Sequence, residues 1–335
     1  MKKVAIVGAS GYAGGQLCRL LSRHPHVSLD SLYVSETSAD KDRKISDLYG
    51  ELLGICDLPL KPLKDSASII DSGVDAVFLA TDHKVSHDLA YDLINNNIVV
   101  FDLSGAFRLS DTEVFKNYYG FEHKYPELLK SAVYALPEYT RLDVLRNTKL
   151  LSLPGCYPTA SQLGLKPLIE ANLLDTNYRP VIDAVSGVSG AGRKAKITNS
   201  FCEVSLNAYG VFTHRHEPEI AEHLGTKIIF TPHLGNFKRG IHATITCKVK
   251  DGVSSEDVFN VYEKAYANKS LVRFKRSLPR LSDVVNTSFC DISLSYKDGY
   301  VIICSCIDNL LKGASGQAVQ VFNLYYGFDE TLSLI

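Results

Sequence analysis

The chain of 335 residues has no excess charge of either sign, with 36 lysines and arginines against 37 aspartates and glutamates. With no net field to draw it to a polyanion or an anionic bilayer, nucleic acid and membrane surfaces are excluded as main partners. No apolar run is long enough to span a bilayer, and no signal-peptide apolar region follows Met1-Lys2-Lys3, which lead straight into a strand-like stretch. The eight cysteines (Cys18, Cys56, Cys156, Cys202, Cys247, Cys290, Cys304 and Cys306) are scattered and form neither a zinc knuckle nor a disulfide framework. A reducing, cytoplasmic compartment is expected. Internal repeats, low-complexity tracts and flexible linkers are also missing, and the length suggests about two domains, each with its own core.

One stretch organises what is present. Pro154-Gly155-Cys156-Tyr157-Pro158-Thr159 stands between an apolar run at 150–153, read as the end of a buried strand, and a helical pattern expected over 159–171. A cysteine so close to a helix N-terminus has its thiolate favoured over its thiol, because unpaired backbone N–H groups there attract negative charge. Cys156 is therefore the candidate nucleophile. The competing reading is a small buried residue that fills space.

The first half alternates strands and helices, which indicates an α/β fold with a mainly parallel sheet. Residues 4–7 form a short apolar run, followed by Gly8-Ala9-Ser10-Gly11-Tyr12-Ala13-Gly14 and an amphipathic stretch at 16–22. Glycines three apart let a backbone turn tightly against a pyrophosphate at a helix N-terminus, so Gly8, Ser10, Gly11, Tyr12, Ala13 and Gly14 are candidate dinucleotide contacts. The spacing is GxxGxxG rather than GxGxxG, and a purely structural turn is the alternative. A second strand at 29–34 ends in Ser35-Glu36-Thr37-Ser38-Ala39-Asp40-Lys41, where an adenosine ribose is met in a doubly wound fold. Ser35, Thr37, Ser38 and Lys41 suit the 2′-phosphate of NADP, while Glu36 suits the free hydroxyls of NAD. Helices at 64–72 and 85–94 alternate with strands at 76–80 and 98–102. Loops 81–84 and 103–108 follow strand ends, and Arg108 is a candidate anion clamp or a solvated surface residue. From 111 to 147 the pattern loosens into a long ordered excursion.

Beyond Cys156 strands predominate, at 181–185, 227–231, 241–249, 289–295 and 300–307, with one helix over 254–267 and a last one over 313–326. This is an α+β second domain around an antiparallel or mixed sheet. Residues 1–153 are read as the dinucleotide-binding domain, 154–312 as the second, and 313–335 as packing back on the first. A thiol nucleophile needs a proton carrier and an oxyanion site. His214-Arg215-His216-Glu217-Pro218-Glu219 is the densest polar cluster and opens a helix; a solvated helix start is its plain alternative. A metal is not expected there, because the HxH pair has no third ligand nearby. Ser186-Gly187-Val188-Ser189-Gly190-Ala191-Gly192-Arg193 is a second glycine-rich loop after a strand, whose backbone N–H groups would suit a phosphate or oxyanion, or it is a hairpin tip.

The chain resembles the N-acetyl-gamma-glutamyl-phosphate reductase family of the aspartate-semialdehyde dehydrogenase superfamily. The matching stretches are GASGYAGG at 8–15, DLSGAFRL at 102–109, AVYALPEY at 132–139, PGCYPT at 154–159, SGVSGAGR at 186–193, HRHEPEI at 214–220 and NLLKGASGQAVQ at 309–320. The resemblance implies a Rossmann-type domain joined to an α+β catalytic and oligomerisation domain, in a homodimer or homotetramer. It implies NADPH-dependent reduction of N-acetyl-L-glutamyl 5-phosphate, a small acyl phosphate, to the 5-semialdehyde through a cysteine thioester, in arginine biosynthesis. Cys156 then takes the nucleophile's role and His214, chosen narrowly over His216, the acid/base role. Arg108, Ser189, His216 and Glu219 are implied substrate contacts, and Ser35, Ser38, Ser186, Gly187, Gly190 and Asn309 implied cofactor contacts. The alternatives are a lysine-pathway aminoadipyl-phosphate reductase, a cofactor-independent thiol acyltransferase and a non-catalytic dinucleotide sensor.

Overall fold

Seven short apolar runs of the first half lie side by side and parallel, as their alternation with helices requires. The computed structural model describes all 335 residues and divides them into two units, Met1–Gly155 with Ala314–Ile335, and Cys156–Gly313. The first runs β1 (Lys2–Val7), α1 (Tyr12–Leu21), β2 (Val27–Ser35), α2 (Ile45–Leu48), β3 (Leu60–Leu63), α3 (Ala67–Ile70), β4 (Ala76–Leu79), α4 (His83–Asn95) and β5 (Val99–Asp102). Then come α5 (Thr112–Tyr119), α6 (Pro126–Ser131), β6 (Val133–Tyr134), α7 (Leu142–Arg146) and β7 (Leu150–Ser152). Their order in the sheet is β3-β2-β1-β4-β5-β7-β6. The order reverses between β1 and β4, the place where doubly wound sheets bind ligands at strand carboxyl ends. Every residue of β4 and β5 is buried, as strands covered by helices on both faces must be.

The loosely patterned stretch at 111–147 holds three short helices and β6. Asp111 opens the first of them, its Oδ1 accepting the N–H groups of Glu113 at 2.8 Å and Val114 at 3.0 Å, and Gly120 closes it at φ +79°.

The second unit contains α8 (Cys156–Glu170), β8 (Val181–Gly187), β9 (Asn207–Ala208), α9 (His216–Leu224), β10 (Ile229–Gly235), β11 (Ile241–Lys248), α10 (Ser255–Tyr266), β12 (Val272–Phe274), β13 (Cys290–Lys297) and β14 (Tyr300–Ile307). Its sheet is mixed, in the order β12-β13-β14-β11-β8-β10-β9, with β8 and β10 parallel and β11 antiparallel to both β8 and β14. Along β11 the pattern alternates strictly, Ile241, Ala243, Ile245 and Cys247 buried and the residues between them half-exposed. Helix α8 lies on the buried face, close enough that a Cβ on Gly164 would stand 2.5 Å from Ile245 Cδ1.

Helix α8 starts at Cys156 itself, three residues before the expected point, because Pro158 has the fixed φ of a first helical turn and does not delay it. Pro167 lies inside the helix and has no N–H for the Leu163 carbonyl. Two tyrosines of α10 supply donors there: Tyr266 Oη bonds the Leu163 carbonyl and Tyr262 Oη that of Gly164. After a wide π-type turn at Leu311–Ser315 the chain enters α11 (Gly316–Tyr326) in the first unit, later than the expected start at 313. There Phe322 packs 5.7 Å from Phe78 and 5.6 Å from Phe101, which stack on each other at 4.9 Å.

Candidate active site

In the first unit the glycine turn is dictated by close backbone approach. Gly8 has φ +84°, and a Cβ there would stand 2.2 Å from the Ala80 carbonyl oxygen. A Cβ on Gly14 would stand 2.3 Å from the Gly8 oxygen. Gly11 donates its N–H to that same oxygen at 3.1 Å and precedes α1, which no side chain caps. Uncapped first-turn N–H groups beside a glycine turn suit a pyrophosphate, and Ser10, Tyr12, Ala13 and Gly14 lie in that turn and the first turn of α1. Sequence reading missed what braces this turn. Tyr49 Oη bonds the carbonyls of Ser10 and Gly11, both at 2.9 Å, and its ring lies where a Cβ on Gly15 would be, at 2.6 Å. The fourth glycine of GASGYAGG, which no phosphate fingerprint needs, was the available clue.

At the end of β2, Ser35 and Ser38 shape their own turn. Ser35 Oγ is 3.1 Å from Thr37 Oγ1, and Ser38 Oγ accepts the Asp40 N–H at 3.2 Å. Glu36, Lys41 and Arg43 are exposed beside them.

The loop after β5 is held from beneath. Asp102 is fully buried, and its carboxylate accepts the Ser104 N–H and hydroxyl, each at 2.9 Å; burial raises its pKa, against those bonds and the nearby Arg108. Arg108 is 6% exposed, not a solvated surface residue. Its Nε donates to the Leu153 carbonyl at 2.8 Å and its Nη2 to that of Leu103 at 2.7 Å, so the guanidinium pegs the end of β7 three residues before Cys156. His123 holds the same loop, its Nε2 bonding the Ala106 carbonyl at 3.1 Å, and His87 Nε2 accepts the N–H of the following Lys124 at 3.0 Å. Burial, helped by His87, lowers the His123 pKa to about 4.

In the second unit Cys156 is half-buried and is the first residue of α8. No side chain of the following residue is left loose: Tyr157 is buried, donates its hydroxyl to the His233 carbonyl at 2.8 Å, and has its pKa raised by burial. His214 packs edge-on to the Tyr157 ring at 5.8 Å and to Tyr209 at 5.4 Å, and lies 4.8 Å from the His216 ring. Its Nδ1 accepts the backbone N–H of His216 at 3.1 Å, so in the neutral ring Nε2 carries the proton. Burial first, then Arg215, lowers the His214 pKa to about 4. At neutral pH His214 is thus an uncharged N–H donor. His216 and Glu219 sit in the first turn of α9, 7% and 0% exposed, and are not a solvated helix start.

The second glycine loop is constructed differently from the first. The N–H groups of Gly187, Val188 and Ser189 donate to the carbonyls of Gly240, Phe237 and Lys238, at 2.9, 2.9 and 3.1 Å. These three amides are already used by the connection between β10 and β11, and the rest of the loop stays a proposed site. A Cβ on Gly187 would stand 2.5 Å from the Arg239 nitrogen, which explains that glycine by packing. Ser186 Oγ turns back to the Gly187 carbonyl at 3.1 Å, and lies 2.8 Å from where a Cβ on Gly190 would be. Asn309 is buried, its Oδ1 accepting the Gly240 N–H at 2.7 Å and its Nδ2 donating to Ser189 Oγ at 3.0 Å.

A doubly wound parallel sheet with an uncapped helix start after its first glycine turn is the architecture of a dinucleotide-dependent dehydrogenase. The family model for the semialdehyde dehydrogenase NAD binding domain matches residues 3–146, and that for the semialdehyde dehydrogenase dimerisation domain matches 156–309. Among solved structures, aspartate semialdehyde dehydrogenase II of Vibrio cholerae in complex with ASA shares the fold, with TM-score 0.73 and 16% identity over 98% of each chain. The aspartate semialdehyde dehydrogenase of Candida albicans with NADP does so at TM-score 0.70 and 14% identity, over 97% of this chain and 98% of that one. The N-acetyl-gamma-glutamyl-phosphate reductases of Pasteurella multocida (strain Pm70) and Escherichia coli (strain K12) are each 56% identical over 336 residues, covering 100% of both chains. The chain belongs to the N-acetyl-gamma-glutamyl-phosphate reductase family, within the semialdehyde dehydrogenases.

Proposed function

We propose that this protein reduces N-acetyl-L-glutamyl 5-phosphate to N-acetyl-L-glutamate 5-semialdehyde and phosphate, with NADPH, through a thioester on Cys156. The observation that carries the reading is Cys156 at the N-terminus of α8, in a chain 56% identical over its full length to reductases of that name. The Cys156 thiolate, favoured by the helix N-terminus, attacks the acyl carbon; the C–S bond forms, the C–O bond to phosphate breaks, and phosphate leaves with one proton. The glycine turn at Gly8–Gly14 would hold the dinucleotide, which would supply the hydride. The carbonyl oxygen carries negative charge at both stages, and His214 Nε2–H is the donor we assign to it. Collapse of the thiohemiacetal expels the sulfur as thiolate, so one proton is consumed per turnover. Because the His214 pKa is lowered to about 4, its work is hydrogen-bond donation in neutral form rather than delivery from an imidazolium.

Arg108 serves the substrate by its positive charge and by fixing the turn before Cys156; Ser189, His216 and Glu219 remain its proposed neighbours. Exposed Lys41 and Arg43 beside Ser35 and Ser38 favour the 2′-phosphate of NADP over NAD. A homodimer or homotetramer is proposed from the dimerisation-domain match and from the face of the second sheet away from α8, where Ile302 is 45% exposed opposite half-exposed Thr246. No helix is long and apolar enough to cross a membrane, and none of the eight cysteines forms a disulfide, which suits a cytoplasmic enzyme.

The test is phosphate-dependent oxidation of N-acetylglutamate 5-semialdehyde with NADP and with NAD, beside the homologue one carbon longer. Turnover with NADP and the five-carbon aldehyde is expected; preference for the longer one points to an aminoadipyl substrate, and none with either refutes the assignment.

A further inference from the structure

Gly313 ends the turn that begins at Asp308, and it faces Cys156. A Cβ placed on it would stand 2.8 Å from Cys156 Cβ, 3.1 Å from Ile307 Cδ1 and 3.2 Å from Cys156 Cα. Its φ is not in the left-handed region, so a glycine is required there for space and not for backbone freedom. Neither side of this contact yields cheaply. Asp308 is fully buried; its Oδ1 accepts the N–H groups of Leu310 at 2.8 Å and Leu311 at 3.0 Å, while its Oδ2 accepts that of Asn286 at 2.7 Å and lies 2.6 Å from Arg239 Nε. The Gly313 N–H itself donates to the Asp308 carbonyl at 2.9 Å. Next along, Asn309 is tied to Gly240 and Ser189. Opposite, α8 is held by the two tyrosine bonds from α10 and by the contact of Gly164 with Ile245.

We propose that Gly313 is a positioning residue for Cys156: by having no Cβ it lets the buried Asp308–Gly313 turn close on the cysteine and set where its sulfur stands. This rests on the reading of Cys156 as nucleophile. A nucleophile displaced by about an ångström loses on the order of 10²-fold in rate.

The experiment is Gly313→Ala, read by kcat, by KM for NADPH, and by the pH dependence of iodoacetamide alkylation on the peptide that contains residue 156. Expected are a kcat about 100-fold lower, a KM for NADPH within about twofold, and a shifted alkylation profile. Adding Ile307→Val, which removes the other contact, leaves the defect in place. A kcat within about threefold of the parent with an unchanged alkylation profile overturns the proposal, as does rescue by Ile307→Val. Melting temperatures keep the idea testable if the alanine variant folds poorly. In a Cys156→Gly background Gly313→Ala costs markedly less than in the parent, because the nearest clashing atom is gone; an equal cost in both backgrounds refutes it. Failure of the nucleophile reading is distinguishable: Cys156→Ser would keep phosphate-dependent turnover while the melting-temperature coupling persisted.

Discussion

Two of the turns that lead from a strand into a helix in this chain are constrained in different ways. The turn from β1 into α1 is limited by backbone: Gly8 and Gly14 are glycines because backbone atoms of Ala80, just past β4, and of Gly8 itself occupy the space a side chain needs. The turn from β7 into α8 has its constraint far along the chain, where Gly313 leaves room for Cys156. A binding turn that offers N–H groups to a charged ligand tolerates small errors of place. A turn that presents a reacting atom does not, and the protein surrounds it with buried, hydrogen-bonded elements.

Variants can break or sharpen this contrast. The largest effect is expected at His214, which belongs to the reacting turn's surroundings. His214→Asn removes the Nε2 donor and should lower kcat about 10²-fold, with KM for NADPH little changed. His214→Gln, which can place an N–H near the same point, should lose clearly less; equal losses would make the imidazole a proton carrier instead. Steady-state kinetics of the two variants decides it. At the binding turn, Gly8→Ala combines an unfavourable φ with a clash on Ala80, and should weaken NADPH binding about 30-fold and lower stability by about 3 kcal/mol. Fluorescence titration and thermal melts measure both, and a loss in kcat alone would blur the distinction between the turns.

Tyr49→Phe should act more mildly on the same turn. Losing the hydroxyl that holds the Ser10 and Gly11 carbonyls is worth about 1 kcal/mol, so KM for NADPH should rise roughly fivefold at constant kcat. The smallest effect is on pH dependence. His123 and His214 have pKa values lowered to about 4 by burial, so between pH 6.5 and 4 the unfolded chain binds protons that the native state refuses. Stability therefore falls as pH drops through that window and does not change on their account above it. The groups facing His123 are His87, whose own pKa is lowered by burial, and beyond it Asp88, Lys84 and Lys124. Differential scanning at pH 7 and pH 5 should show a fall of several degrees, and His123→Gln should reduce it by about 2–4 °C. An unchanged fall would place the acid sensitivity elsewhere.

What could be read from the residues alone follows the same division. The alternation of apolar runs and helices was enough for the parallel sheet, and the glycine spacing for the first turn, because both are local patterns. Cys156 was legible as a cysteine at a helix start, even though α8 begins three residues earlier than expected. Distant partners were not legible. Tyr49 braces the glycine turn from a separate segment, and the connection at 237–240 takes the amides of Gly187, Val188 and Ser189 in the Ser186–Arg193 stretch. Arg108 reads in sequence as an anion clamp; the carbonyls of Leu103 and Leu153 that also hold it are brought to it only by the fold. His214 and His216 could not be ranked on spacing, and the backbone hydrogen bond that sets the His214 tautomer is visible only in the fold.

The central claim is that Cys156 carries the acyl group as a thioester that phosphate discharges. It is tested most directly by mixing the protein with N-acetylglutamate 5-semialdehyde and NADP in the absence of phosphate, while following absorbance and the mass of the peptide containing residue 156. The account predicts a burst of NADPH approaching one equivalent per protomer, an N-acetylglutamyl adduct on Cys156, and its loss with resumed turnover once phosphate is added. Full phosphate-dependent turnover with no burst and no adduct at Cys156 would contradict it.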